Sequence, residues 1–191
     1  MFRPIAPSQA RLAGALERAA PLELTYPEVG ATVYGEHPEG YRHDVVRRFV
    51  PGGDFERGVK AVSTWAGHHG AGALMVPSVP STKLGTAMAF GIRVFGLWFV
   101  AVCRIVGIVE EDDVYGIAYG TLPQHPERGE EIFLVRRLDD GLEFEVRSFS
   151  RPNSPLVRAS GPVGRFLQRT MAKRYVEALV REVTGDDEAG S

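Results

Sequence analysis

From residue 71 to residue 151 the apolar positions alternate with polar ones or gather in short runs, and Gly, Pro and acidic pairs break them up, as in successive β-strands. Residues 74–79, 86–94, 97–109, 114–121, 131–137 and 142–149 are the predicted strands. Asp139-Asp140-Gly141 between the last two predicts a tight hairpin. Upstream, 41–50 predicts a strand through Val45, Val46, Phe49 and Val50 and stops at Pro51-Gly52-Gly53, while 22–26 predicts a shorter one. The period changes to the helical one in three places. Leu12, Leu16 and Ala19 follow Ser8, a helix N-cap, and Phe55, Val59, Val62 and Trp65 follow Asp54, another N-cap, with Gly67 and Gly70 as the expected stop. The third helix, 163–183, carries one apolar stripe through Phe166, Leu167, Met171, Tyr175, Val176, Leu179 and Val183, with Arg165, Arg169, Lys173, Arg174 and Arg181 over much of the rest.

This order predicts an α+β fold in which a curved antiparallel sheet wraps around a long C-terminal helix, the helix-grip arrangement, because a sheet with an apolar face needs a cover. The expected organisation is a single α+β domain over 1–184. Residues 1–40 form an irregular lead-in with a helix and a strand, 41–184 form the sheet and remaining helices, and 185–191 form a polar tail. Such a fold has room for a cavity between sheet and helix.

Composition narrows the function classes. The chain has 191 residues, 44% hydrophobic and 24% charged, with a net charge of −2, so it has the apolar mass for a core and lacks the basic excess of a nucleic-acid binder. Its 3 Lys against 19 Arg fit a GC-rich bacterial genome. Cys103 is the only cysteine, which excludes an internal disulfide framework and a multi-cysteine zinc site. The first residues lack a secretory leader pattern and the longest clean apolar run, 94–103, is too short to span a bilayer, so a cytoplasmic location is expected.

Candidate chemistry is concentrated in the 122–131 loop, where His125, Glu127 and Glu131 supply an imidazole and carboxylates for acid–base work, on a loop expected to be exposed. Adjacent Glu130 and Glu131 on a strand face opposite sides, so only one of them can join His125. Trp65, Trp98, Tyr119, Arg147 and Phe149 are the candidate ligand contacts, aromatic surface with one cation. Arg93, Arg104 and Arg147 interrupt apolar strands, and facing inward each would need an anionic partner. His68 and His69 follow a helix and are expected to cap its C-terminus. No metal site, nucleotide loop or cofactor motif is expected.

The segment Ala118-Tyr119-Gly120-Thr121-Leu122-Pro123-Gln124-His125-Pro126-Glu127-Arg128-Gly129-Glu130-Glu131, with 24–32, Ser148-Phe149-Ser150-Arg151-Pro152 and the last helix, resembles a family of uncharacterised bacterial and plant proteins catalogued as domain of unknown function nineteen-ninety. The resemblance spans about 22–183 and is compatible with a helix-grip relationship to lipid- and polyketide-binding domains. The leading functional expectation is the binding of a small, largely apolar molecule between sheet and helix. The alternatives are an enzyme of hydrolase, cyclase or isomerase type acting through the 122–131 loop, and a protein-interaction scaffold using the basic helix face.

Overall fold

The computed structural model describes residues 3–94, 96–153 and 161–185, with side chains in the last stretch from 169 onward. The expected tail, Phe95, and the side chain of Leu167 lie outside the described residues.

Seven strands form one fully antiparallel sheet in the order β1-β7-β6-β5-β4-β3-β2. They are β1 (Arg42–Pro51), β2 (Leu74–Val76), β3 (Ala87–Val94), β4 (Leu97–Glu110), β5 (Val114–Thr121), β6 (Glu127–Leu138) and β7 (Gly141–Pro152). Strand β6 begins at Glu127, inside the expected loop. The β6–β7 hairpin turns at Asp139-Asp140, with Leu138 opposite Gly141. Residues 22–26 form no strand. They are held instead by single contacts, including the Thr25 N–H donating to the Thr121 carbonyl at 3.1 Å.

The concave face packs against α3 (Phe55–Ser63), α4 (Ala66–Gly70) and the long α5 (Gly161–Thr184), giving the helix-grip arrangement. Met171, Tyr175, Val176 and Leu179 of α5 meet Phe90, Phe133 and Phe144 of the sheet in the main core. Arg169, Lys173, Arg174 and Arg181 are exposed. Asp54 caps α3 by accepting the Arg57 N–H at 2.8 Å. Trp65 then takes a left-handed conformation, φ 63°, which separates α3 from α4. Gly67 and Gly70 do not stop a helix here. They lie within α4 and let its backbone approach α5, since a Cβ on Gly70 would sit 2.7 Å from that of Ala178.

The convex face is also covered, which the strand pattern alone did not predict. Helix α1 (Gln9–Ala19), capped by Ser8, lays Leu12, Ala15 and Ala19 on Ala89, Val102 and Leu122. An arm over 20–41, including the short α2 (Ala31–Tyr34), covers the rest. Two of the arginines that break apolar strands hold this layer. Arg104 donates to the carbonyls of Ala20 at 2.6 Å and Leu22 at 2.8 Å, and Arg147 donates to that of Thr32 at 2.7 Å. Arg93 is exposed. Among the described residues no helix is long and apolar enough to cross a membrane.

Leu179 is 1% exposed beneath α4. Leu179→Ala is expected to cost ~2–5 kcal/mol in urea unfolding, as buried Leu truncations do. Lys173→Ala on the opposite side of α5 is expected to stay within ~0.5 kcal/mol. Equal effects would contradict this placement of the helix.

Candidate functional site

Register places Ile105, Tyr119, Glu131, Ser148 and Asp44 in one row across the concave face, each directly opposite the next on neighbouring strands. A polar chain runs through this row. The Tyr119 hydroxyl donates to Glu131 Oε2 at 2.6 Å, and His68 Nε2 lies 3.0 Å from the same hydroxyl. His68 is 2% exposed, with ring contacts to Trp65, Phe90, Phe133 and Tyr175 at centroid distances of 4.6–5.2 Å. Burial, with a small contribution from His69, pushes its imidazole down to about 3, so the ring is neutral at physiological pH. His68 is therefore a core residue and not a charged helix cap; His69 is the exposed member of the pair.

Glu131 is half-buried at the outer end of the chain. Burial pushes its carboxyl up to about 7; the Tyr119 hydrogen bond opposes the shift and the charge of Asp44 adds to it. Asp44, half-buried on β1, pairs with Arg169 of α5 at 3.6 Å. One residue pair farther along, Arg42 and Glu127 form an ion pair at 3.4 Å, and the Arg42 Nε is buried without a partner. Burial raises the Glu127 carboxyl, against the opposing Arg42 charge.

The chain's other end abuts filled core. The space bounded by Val62, Trp65, Gly67, His68, Ile117, Phe133 and Leu179 has a cavity volume of ≈ 10 Å³, room for about one water. Any ligand-sized volume must therefore lie toward Glu131 and Asp44, under the first half of α5.

Glu130, the preceding residue, points the other way and is 3% exposed. Its carboxylate accepts from the Tyr26 hydroxyl at 2.7 Å, the Gly30 N–H at 2.8 Å, the Thr32 N–H at 2.9 Å and the Thr32 hydroxyl. It ties the arm to the convex face, which accounts for the Tyr26 to Thr32 segment accompanying Glu130 in the sequence pattern.

The sequence-derived candidates are thus divided. Glu131, Tyr119 and Trp65 belong to the concave side, with Trp65 fully in the core and its Nε1 donating to the Pro80 carbonyl at 3.1 Å. Trp98, Arg147 and Phe149 sit at the alternate positions and face the convex side, so the five expected ligand contacts do not line one cavity. Phe149 packs edge-on against Tyr26 and Tyr41, and Arg147 pairs with Glu145 at 3.4 Å. His125 is half-buried, not exposed. Its Nδ1 accepts the Glu127 N–H at 3.0 Å, its carbonyl accepts from Asn153 at 2.8 Å, and burial lowers its pKa to about 4. It closes its own loop and joins neither Glu130 nor Glu131. Cys103, 1% exposed, is held as a thiol by burial. Among the described residues no group of three or more His, Cys, Asp and Glu is gathered as a metal site requires. Sequence reading missed His68, Ser148 and Asp44. Only strand register brings them together; the alternation of Tyr115, Ile117 and Tyr119 with small residues was the one local signal of the face.

Two variants separate the two glutamates. Glu130→Ala strands four buried donors and is expected to cost at least about 3 kcal/mol in urea unfolding. Glu131→Gln acts differently. Between pH 4.5 and about 7 the folded state keeps the Glu131 proton that the unfolded chain has released, so this residue's contribution to stability falls as pH rises through that window. The Gln variant is expected to match the parent near pH 4 and to exceed it at pH 8 by on the order of 3 kcal/mol. A pH-independent difference would contradict the burial of this carboxyl.

A family model described as "Domain of unknown function (DUF1990)" matches residues 25–178. A UPF0548 protein of Deinococcus radiodurans is 31% identical over 199 aligned residues, covering 95% of this chain and 97% of that one. Among solved structures, TTHA0849 of Thermus thermophilus superposes with a TM-score of 0.59 at 11% identity, over 77% of this chain and 100% of that one. The di-domain ARO/CYC StfQ from the steffimycin biosynthetic pathway superposes with a TM-score of 0.54 at 11% identity, over 76% of this chain and 52% of that one. At such identities the structural likenesses establish the helix-grip fold alone.

Proposed function

Since the chain belongs to the DUF1990 family, whose description assigns no activity, we propose from its geometry that it binds a small, largely apolar molecule between the concave face of the sheet and α5. The observation that carries this reading is the Tyr119–Glu131 pair, backed by His68 and set in an otherwise apolar face. A carboxyl placed there weakens the fold at neutral pH, and apolar side chains would pack better. Its half-exposed position, with half-buried Ser148 and Asp44 beside it, leaves this part of the concave row accessible under α5. Ligand sites commonly combine apolar walls with a few convergent polar groups. In this reading Phe90, Ile105 and Phe133 contribute apolar wall, Glu131 recognises the ligand's polar atom, and the Arg42–Glu127 pair lies at the rim. Of the 122–131 candidates, Glu131 alone acts on the ligand, while His125 shapes the loop.

The neutral fluorophore N-phenylnaphthylamine tests this reading by titration. The parent protein is expected to bind it saturably at one site. Ser148→Trp, which fills the row beside Glu131, is expected to weaken binding at least ~10-fold while leaving the urea midpoint within ~1 kcal/mol of the parent. Absence of saturable binding to the parent would overturn the proposal.

A further inference from the structure

Glu130 and Glu131 are the same side chain on the same strand, one position apart, and their surroundings differ in kind. Glu130 is closed off by four donors and has only a structural task. Glu131 receives one donor from the described residues, through Oε2, and no described cation lies against it. Tyr119 has a single hydroxyl proton, and the 2.6 Å bond gives it to Glu131. His68 must then supply the hydrogen on the 3.0 Å bond to Tyr119, so Nε2 carries the proton of the neutral imidazole. The chain is thus polarised from end to end: N–H to hydroxyl oxygen, hydroxyl to carboxylate. Two donors in series support the carboxylate without neutralising it, and they fix Oε2 so that Oε1 faces the cleft side.

Resting on the ligand-binding reading above, we propose that Glu131 is the acid–base group of a cofactor-free proton transfer on a small apolar carbonyl compound. The C–H bond beside the carbonyl breaks. Its electron pair becomes the C=C of an enolate whose charge lies on oxygen, and the proton bonds to Glu131 Oε1. The proton then returns to the same carbon or to one conjugated with it, giving exchange or an isomer. Nothing is oxidised or reduced and no group leaves, so the step needs no co-reactant.

The surroundings select this class. The walls are apolar, so the substrate's body is apolar. Nucleophilic catalysis has no agent here, since Cys103 is held as a buried thiol. A mechanism with two free carboxyls is also unavailable, because Asp44 is engaged by Arg169. A single base remains, and proton abstraction needs only one. Arg42, on the same face toward the C-terminal end of β7, keeps a buried Nε–H without a partner, a donor for an oxygen that gains charge. The groups facing Glu131 among the described residues are Tyr119 from β5, Cys103 from β4, Asp44 from β1, and Tyr175 and Arg169 from α5, with His68 from α4 acting through Tyr119. Asp44 and the low-dielectric surroundings favour the protonated carboxyl while Tyr119 favours the carboxylate. Both forms are therefore populated at neutral pH, as a base that must return its proton requires. Tyr119 and His68 are positioning residues.

The test uses β-tetralone, an apolar ketone with acidic C–H bonds, in heavy water, with exchange followed by proton NMR. β-Tetralone is expected to displace N-phenylnaphthylamine and to exchange saturably, ~10²-fold faster than the buffer blank at least. The rate should rise with pH to a midpoint near that of Glu131. Glu131→Gln should bind the ketone and return exchange to the blank. Tyr119→Phe should still bind but move the midpoint upward, because the carboxylate loses its donor; a merely structural Tyr119 would leave the midpoint unmoved. Glu131→Asp, which keeps the carboxyl, should retain part of the rate if the Gln variant fails to fold. Displacement without exchange, exchange that survives Glu131→Gln, or fluorophore binding that β-tetralone cannot displace would each overturn this inference and leave the binding reading standing. Failure of the parent to bind the fluorophore would remove the reading on which it rests.

Discussion

Successive side chains of a β-strand leave on opposite faces, and β6 carries two carboxylates in succession at Glu130 and Glu131. The pleat sends one into the outer layer and the other into the cleft, and the rest of the molecule is arranged around that division. On the convex face Glu130 collects the hydroxyls and amides of Tyr26, Gly30 and Thr32, while Arg104 and Arg147 take up nearby carbonyls. An irregular arm thereby becomes a fixed layer, and β3 to β6 are buried on both sides. On the concave face Glu131 closes a hydrogen-bonded chain that starts in the core at His68.

The two halves of the cleft have different tasks. Beneath the second half of α5, α4 approaches through Gly67 and Gly70, and aromatic rings from sheet and helices fill the space down to a void of ≈ 10 Å³. This half is a structural core. Toward Asp44, Ser148 and Glu131 the same face becomes polar and partly accessible. The polar chain is anchored in the rigid half and ends in the accessible one. That placement positions a reactive carboxyl accurately, at a cost in stability that grows as pH rises toward neutrality.

Much of the fold was legible because local physics determines it. Period-two runs marked six of the seven strands well, Asp139-Asp140-Gly141 marked the hairpin, Ser8 and Asp54 marked two helix starts, and the stripe through Met171, Tyr175 and Leu179 marked the long helix. Family membership was legible from the 118–131 segment. The site was legible only in part. Opposite facing of Glu130 and Glu131 follows from strand geometry, but the row that joins Tyr119, Glu131, Ser148 and Asp44 depends on register across β5, β6, β7 and β1, which no local pattern specifies. His68 was misread because an adjacent histidine and two flanking glycines look like a fraying helix end; the left-handed turn at Trp65 carries it into the core instead. His125 was expected on an exposed loop, and an isolated imidazole gives no local sign that its ring nitrogen closes that loop. Trp98, Arg147 and Phe149 were assigned to the cavity by residue type, and face parity puts them on the other side.

The account turns on the state of one carboxyl. NMR of the side-chain carboxyl carbon of Glu131, assigned through Glu131→Gln in protein with labelled glutamate, measures its titration directly. The account predicts a midpoint near 7, set by burial and by Asp44 against the Tyr119 hydrogen bond. A midpoint in the ordinary carboxylate range, at about 4.3, would show a solvated surface residue and contradict both the polar chain and the site built on it.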